Sequence, residues 1–297
     1  MSAYLIQQIV NGLVLGSMYA LVAVGFSMIY SIVRLINFAQ GDIVMIGALT
    51  AVFCLMALGL PLWVTVLATL AAGAALAALI EVLVFRPQRG APQVNGFITS
   101  LAVSILIQNL GVMLLSAQPR PLRLPSEWRG GIDMFGARLS MLDIGIFVST
   151  AVSLAGLVYF VRFTRMGIAM RATSENLTAA RLMGIPVNRV VMTAFAVGGA
   201  LAGLAGLLWG GRYGQVDPLM GFVPGLKAFV AAVIGGVGSL TGAVLGGFLL
   251  GLAEVLLVGL LPQEFGAYRD AFVFALLIVV LLVLPSGLMG HSTEERA

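Results

Sequence analysis

The residues able to do chemistry are few and stand in apolar surroundings. The segment IVRLINFAQGDIVMIG (32–47) crowds Arg34, Asn37, Gln40 and Asp42 between two apolar runs. Asn37 and Asp42 can cap helix starts, and Gly41 permits a sharp bend. Two readings are open. One is a broken helix beside a pathway, with Asn37 and Gln40 offering amide groups. The other is an interfacial turn whose polar side chains satisfy free backbone groups. Elsewhere, Asn11, Thr99, Ser104 and Gln108 interrupt apolar runs. Each can meet a zwitterionic or amide solute, and each can equally tie one helix to another. Glu81 and Glu254 read as the only acids inside apolar helices, where a charge at the centre costs about 2.5–3.5 kcal/mol on insertion scales. Glu81, close to Arg86, predicts pairing or snorkelling. Glu254 lies deeper and predicts a hydrogen-bonded partner for another helix, or part of a pathway.

Other chemistries are excluded by residue type. His291 is the one histidine and Cys54 the one cysteine, so no zinc site can be built from these ligands. Cys54 reads as a small core residue. No nucleophile–base pattern or catalytic triad is present. The glycine-rich run IGGVGSLTGAVLGG (234–247) lacks the Gly-Lys-Ser/Thr ending of a phosphate loop. The chain therefore reads as a non-enzyme that binds no cofactor of its own. Any ATP would belong to another subunit. Asp217, Glu264 and Asp270 read as solvated loop charges.

The longest polar interruption, RFTRMGIAMRATSENLTAARLMGIPVNR (162–189), carries Arg162, Arg165, Arg171, Arg181 and Arg189 against Glu175 alone among acids. It predicts a short helix over 175–183. Ser174 is the expected cap, Glu175 places negative charge at the positive helix end, Gly184 closes the helix left-handed and Pro186 prevents continuation. Such a compact, Ala-rich helix on a basic loop suits docking to a partner. The competing reading is an amphipathic segment on the membrane surface.

The elements that must position these residues are membrane spans. The chain is 60% hydrophobic and 9% charged, with mean hydropathy +1.08, whereas globular domains carry about 25% charged residues. Its pI of 9.6 comes from loop arginines and bears on topology, so nucleic acid is not an expected partner. Apolar runs fall near 5–30, 43–58, 62–84, 97–116, 142–161, 190–211, 223–237, 242–261 and 271–288. They predict an all-α polytopic protein of about 8–10 spans forming one domain over 1–290. The runs 43–58 and 223–237 are too short to span comfortably, and broken helices of this kind point to a transporter or channel. No basic residue precedes Arg34, so the first run is expected to be retained as a span. By the positive-inside rule, 85–96 and the loop 162–189 are cytoplasmic. Alternation of the spans then puts 117–141 on the outer, periplasmic side, against its own Arg120, Arg123, Arg129 and Arg138, and the tail 291–297 in the cytoplasm. The segments 75–85 and 247–258 each set one glutamate before Val-Leu in an apolar helix, a hint of internal repetition.

Two stretches carry a family resemblance. YALVAVGFSMIYSIVRLINFAQGDIVMIGA (19–48) resembles the N-terminal signature of branched-chain amino acid ABC transporter permeases, and GIAMRATSENLTAARLMGIPVNRV (167–190) resembles their cytoplasmic loop. FVAAVIGGVGSLTGAVLGGFLLGLAE (229–254) is similar to a third family segment. The chain is similar to the shorter, leucine-type high-affinity permease subunit. The resemblance implies a type II importer-like fold in a bacterial inner membrane. It also implies a second homologous permease, two cytoplasmic ATPase subunits holding ATP and Mg, and a periplasmic binding protein. It implies that the 174–184 helix is a coupling helix, with Arg171, Glu175, Asn176, Ala179, Ala180 and Gly184 at matching positions. Gln40 departs from the histidine common in the family, which keeps hydrogen bonding and removes titration. Urea or short amides are alternative cargoes within the same family. A self-contained secondary transporter is the alternative outside it.

Overall fold

A computed structural model describes residues 2–125, 128, 130–134, 137–260, 268–284 and 286–290. The tail 291–297, with His291, and Glu127, Arg129 and Glu264 lie outside the described residues. Eleven helices are described: α1 (Ser2–Val33), α2 (Gln40–Val52), α3 (Leu62–Ile80), α4 (Gln93–Leu115), α5 (Met141–Phe163), α6 (Arg165–Glu175), α7 (Leu177–Leu182), α8 (Val187–Tyr213), α9 (Phe222–Gly235), α10 (Leu240–Leu260) and α11 (Arg269–Val283). Single π turns extend α2 to Ala57 and α3 to Phe85. Seven helices are long and apolar enough to cross a membrane. The helices α9 and α11, of 14 and 15 residues, are shorter than these seven. The chain is a multi-pass α-helical membrane protein.

The loop 117–141 is not wholly irregular. Strands β2 (Gly131–Met134) and β3 (Ala137–Ser140) form an antiparallel hairpin, with Gly131 opposite Ser140. Strands β1 (Arg120–Pro121) and β4 (Gln215–Val216) form a second short pair. The backbone N–H of Arg138 donates to Gln7 Oε1 at 2.8 Å, which seats this loop on the start of α1.

Two layers of close contact build the core. The helices α1 and α10 meet through small residues: a Cβ on Gly16 would lie 2.7 Å from the Phe248 Cα, and one on Gly251 2.3 Å from the Gly16 nitrogen. The helices α3 and α8 meet in the same way, through Gly73 and Gly199. Small residues let backbones approach where lipid offers no hydrophobic drive for association.

Two helices start inside the bundle. The α1 helix ends at Arg34, which takes the left-handed conformation with φ 58. Residues 34–37 are non-helical, a turn follows, and α2 begins at Gln40, whose Nε2 donates to the Gly198 carbonyl near the middle of α8. From there α2 runs beside α8 in the same direction, with Gly47 against Gly203 and Ala48 near Gly206 and Gly210. Similarly, α8 is followed by a bend, and α9 begins at Phe222 with Gly225 against Gly41. It then runs the other way, antiparallel to α10, where Gly246 meets Ala231 and Gly242 meets Gly235. The N-terminal ends of α2 and α9 thus face each other through Gly41, Gly221 and Gly225.

The order long helix, break, half-helix, full helix occurs in α1–α2–α3 and again in α8–α9–α10, with opposite direction through the bundle. The segments 75–85 and 247–258 fall in α3 with its π turn and in α10, the last helix of each set. Glu81 closes α3 at the face holding α6 and α7, and Glu254 lies toward the opposite end of α10.

Candidate transport and coupling sites

The break before α2 is lined by the polar residues that stood out in the sequence. Asn37 Oδ1 accepts from the Ala39 N–H at 3.2 Å, so Asn37 shapes the turn into α2. The face of α4 with Ser100, Ser104 and Gln108, spaced four apart, lies along this break. Ser100 Oγ donates to the Ile36 carbonyl at 3.2 Å and accepts from the Phe38 N–H at 3.3 Å. Gln108 Nε2 donates to Asp42 Oδ1 and to Ser104 Oγ, each at 3.0 Å. Asn37 Nδ2, Gln40 Oε1 and Asp42 Oδ2 remain buried without a protein partner. The side chains thus satisfy the broken backbone, as the turn reading expects, and three of their polar atoms are left without a protein partner.

The candidates do not form one constellation. Asn37, Gln40, Ser104 and Gln108 gather at the break. Thr99 is apart, its hydroxyl donating back to the Asn95 carbonyl at 2.7 Å. Asn11 lies at the opposite face, where its Oδ1 accepts from Arg212 at 3.2 Å. Arg212 also pairs with Asp143 at 2.6 Å. Asp143 is itself held in a capping box with Ser140 at the start of α5.

The expectation of only two acids within apolar helices is corrected. Asp42 is fully buried in α2, which the short apolar run concealed because the aspartate stands at the run's polar edge. Lys227, the single lysine, is buried in α9 and was not singled out by spacing. It contacts Glu254 and Asp270, each at 2.6 Å. Asp270 is thus half solvated and half committed to an ion pair. Glu254 also accepts from the Tyr19 hydroxyl at 2.8 Å and pairs with Arg269 at 2.5 Å. Its burial is offset by three partners from three other helices, which fits the reading of a structural partner and sets it beside a cavity.

At the other face, buried Glu81 pairs with Arg86 at 2.8 Å and with Arg89. Arg89 also donates to Asn188, one residue into α8. Burial pushes the Arg89 guanidinium below its ordinary value, and Glu81 beside it pulls the other way. Glu81 thereby ties the 86–92 loop to the start of α8, directly after the basic loop.

The basic loop holds two helices where one was expected over 175–183. Thr164 caps α6, its hydroxyl accepting from the Gly167 N–H at 3.0 Å. Glu175 is the last residue of α6 and not the first of the next helix. Ser174 does not cap: its hydroxyl donates to the Arg171 carbonyl at 2.7 Å. The cap is Asn176, whose extended backbone (φ −152, ψ 106) breaks the helix while Oδ1 accepts from the Ala179 N–H at 2.9 Å. A serine one turn inside a helix bonds back to its own carbonyls, whereas an extended asparagine can reach forward. The closure is as expected. Gly184 has φ 76, its N–H donates to the Arg181 carbonyl, and the Ile185 N–H donates to the Ala180 carbonyl, both at 3.0 Å. This is the paired-bond helix ending that glycine permits.

The two alanines divide. Ala180 is buried against the bundle and Ala179 is exposed. Arg171, Glu175 and Asn176 are exposed as well. Sequence spacing did not single out Leu182 and Met183, which stand 84% and 82% exposed at the tip of α7. Their signal was available: two large apolar residues directly before a closing glycine, on a loop otherwise rich in arginine.

Broken half-helices meeting inside a bundle, with a rigid capped helix outside it, define a membrane permease. The chain matches the profile of the branched-chain amino acid transport system permease component over residues 8–281. It is 39% identical to the high-affinity branched-chain amino acid transport system permease protein LivH of Escherichia coli (strain K12), covering 99% of this chain and 98% of that protein. It is 40% identical to the corresponding protein BraD of Pseudomonas aeruginosa, covering 98% and 97%. The ribose import permease protein RbsC of Escherichia coli (strain K12) is 29% identical over 83% of this chain and 77% of its own length. The chain belongs to the branched-chain amino acid transport permease family, and it is a transport subunit rather than an enzyme.

Proposed function

We propose that this chain is the permease subunit of an ATP-driven importer in a bacterial inner membrane. It carries branched-chain or related amino acids delivered by a periplasmic binding protein. It works with a second homologous permease and two cytoplasmic ATPase subunits that hold ATP and Mg. The observation that carries this reading is α7. It is a capped, closed helix outside the bundle whose tip offers Leu182 and Met183 to whatever docks there, a helix-in-groove arrangement. Arg171, Glu175, Asn176 and Ala179 surround that contact, Ala180 seats the helix on the bundle, and Gly184 fixes its end.

The same reading makes α6, α7 and the 86–92 loop cytoplasmic and the 117–141 loop periplasmic. It assigns Asn37, Gln40, Ser104 and Gln108 to the pathway beside the α2 break, with Asn11 near its outer mouth and Thr99 flanking it. The test is co-purification from native membranes followed by leucine uptake in proteoliposomes with the retained subunits. An ATPase pair, a second permease and ATP-dependent leucine uptake are the expected outcome. A lone chain that takes up solute with an ion gradient and no ATPase overturns the reading. Uptake of urea or a short amide in place of leucine overturns the cargo alone.

A further inference from the structure

The charge cluster around Lys227 opens onto a cavity that none of the pathway candidates lines. It has a volume of about 450 Å3 and lies at the face that also holds the 117–141 loop. This is within the roughly 300–1,000 Å3 of small-molecule sites. One wall is apolar. Tyr19 and Trp209 have ring centroids 5.4 Å apart, Trp209 and Tyr213 stack at 5.7 Å, and Leu219, Met220 and Val223 continue the surface. The other wall is charged and layered. Lys227 and Glu254 form its inner pair, both buried, and Glu254 is further bonded by Tyr19. Arg269 and Asp270 form its outer pair, with side chains 37% and 55% exposed. Among the described residues, Arg269 pairs only with Glu254 and Asp270 only with Lys227. Both outer groups stand in the first turn of α11, where the positive end of the helix dipole adds potential at the same place.

This arrangement is more than a neutral structural network. Two bases and two acids would cancel as well with all four buried. Here the inner pair fixes the geometry, while the outer pair offers one cation and one anion to the cavity, across from an aromatic and aliphatic wall. An α-amino acid with an apolar side chain presents the matching groups: a carboxylate for Arg269 and the α11 N-terminus, an ammonium for Asp270, and a branched aliphatic chain for Trp209, Met220 and Val223.

We propose that this cavity is a binding site for zwitterionic amino acids with aliphatic side chains, formed by the permease itself at its outer face. The proposal rests on the cargo reading above and deepens it. Selection would then occur twice, once on the delivery protein and once in the permease.

The test uses the full permease–ATPase complex in detergent, without the binding protein, and follows thermal unfolding against ligand concentration. The probes are leucine, 4-methylpentanoate, which lacks the ammonium, and 3-methylbutylamine, which lacks the carboxylate. Leucine is expected to raise the midpoint and both truncated probes to do so at least tenfold more weakly. Asp270→Asn should weaken leucine about tenfold and leave 4-methylpentanoate unchanged. Val223→Phe, which fills the apolar wall and leaves the charges in place, should shift preference from leucine toward alanine. It serves if Asp270→Asn does not assemble. No leucine-dependent shift in the unsubstituted complex, or equal responses to leucine and the truncated probes, overturns the site. Leucine uptake measured alongside separates the two claims. Uptake without any shift leaves the importer reading intact and removes the site, whereas a shift without uptake keeps the site and removes the cargo reading.

Discussion

Glu81 and Glu254 are both fully buried glutamates, and they are neutralised differently. Glu81 binds two arginines of one adjoining loop, so its partners can turn toward water when it is lost. Replacing it with glutamine should cost about 2 kcal/mol. That is below the roughly 3–5 kcal/mol of a fully buried pair, because the Arg86 side chain is 36% exposed and rehydrates. Unfolding in a dodecylsulfate titration would measure this, and a loss above about 4 kcal/mol would mean that Arg89 stays trapped without its partner. Glycine is the other residue whose role is fixed by what lies next to it. A Cβ on Gly41 would stand 2.4 Å from the Gly221 carbonyl oxygen, whereas one on Gly156 would meet nothing within 4 Å. Gly41→Val should therefore destabilise by about 3 kcal/mol and Gly156→Val by less than about 0.5 kcal/mol. The same titration distinguishes them, and equal effects would deny that the two half-helices touch through Gly41.

At the scale of elements, α7 is a short lever between two breaks. Its upstream break comes from Asn176 in extended conformation, and its downstream break from Gly184 at positive φ. Proline cannot adopt φ 76, since its ring holds φ near −65°. Gly184→Pro should therefore unseat the end of α7 without disturbing insertion. ATP hydrolysis is expected to persist while uptake falls at least tenfold. Leu182→Asp should give the same uncoupling by placing a charge at the exposed apolar tip proposed to dock. Parallel assays of phosphate release and leucine uptake check both, and normal uptake by both variants would remove α7 from the coupling role.

For the molecule as a whole, the arrangement places the 86–92 loop, α6, α7 and the 236–239 turn at one face. The N-terminus of α1, the 117–141 loop and the start of α11 lie at the other. Leu182→Cys is expected to react with a membrane-impermeant maleimide only in inside-out vesicles. Leu58→Cys, in the turn between α2 and α3, should react only from the outside. Cys54 is buried and should contribute little background. The reverse labelling pattern would invert the orientation that the loop arginines indicate.

The sequence by itself determined the class of protein, its all-α multi-pass character and the place of the basic loop 162–189. These are local or additive properties. Mean hydropathy, run length, loop arginines and a glycine followed by proline can each be read without knowing what lies beside them. The short run 223–237 announced the short α9, whereas 43–58 under-read its helix, which begins at Gln40 and with its π turn is long enough to cross. Only the tertiary structure decided that these two helices point opposite ways and meet through Gly41 and Gly225. It alone showed that Ala180 faces inward while Leu182 and Met183 face out, and that Lys227, Glu254, Arg269 and Asp270 converge from three helices. It also moved the helix cap from Ser174 to Asn176, since the choice between two polar residues two positions apart depends on which one the backbone leaves extended. Long-range pairing of this kind leaves no mark on spacing. A buried lysine and a distant glutamate look alike in sequence whether they meet or not, because the packing of other helices sets the distance between them.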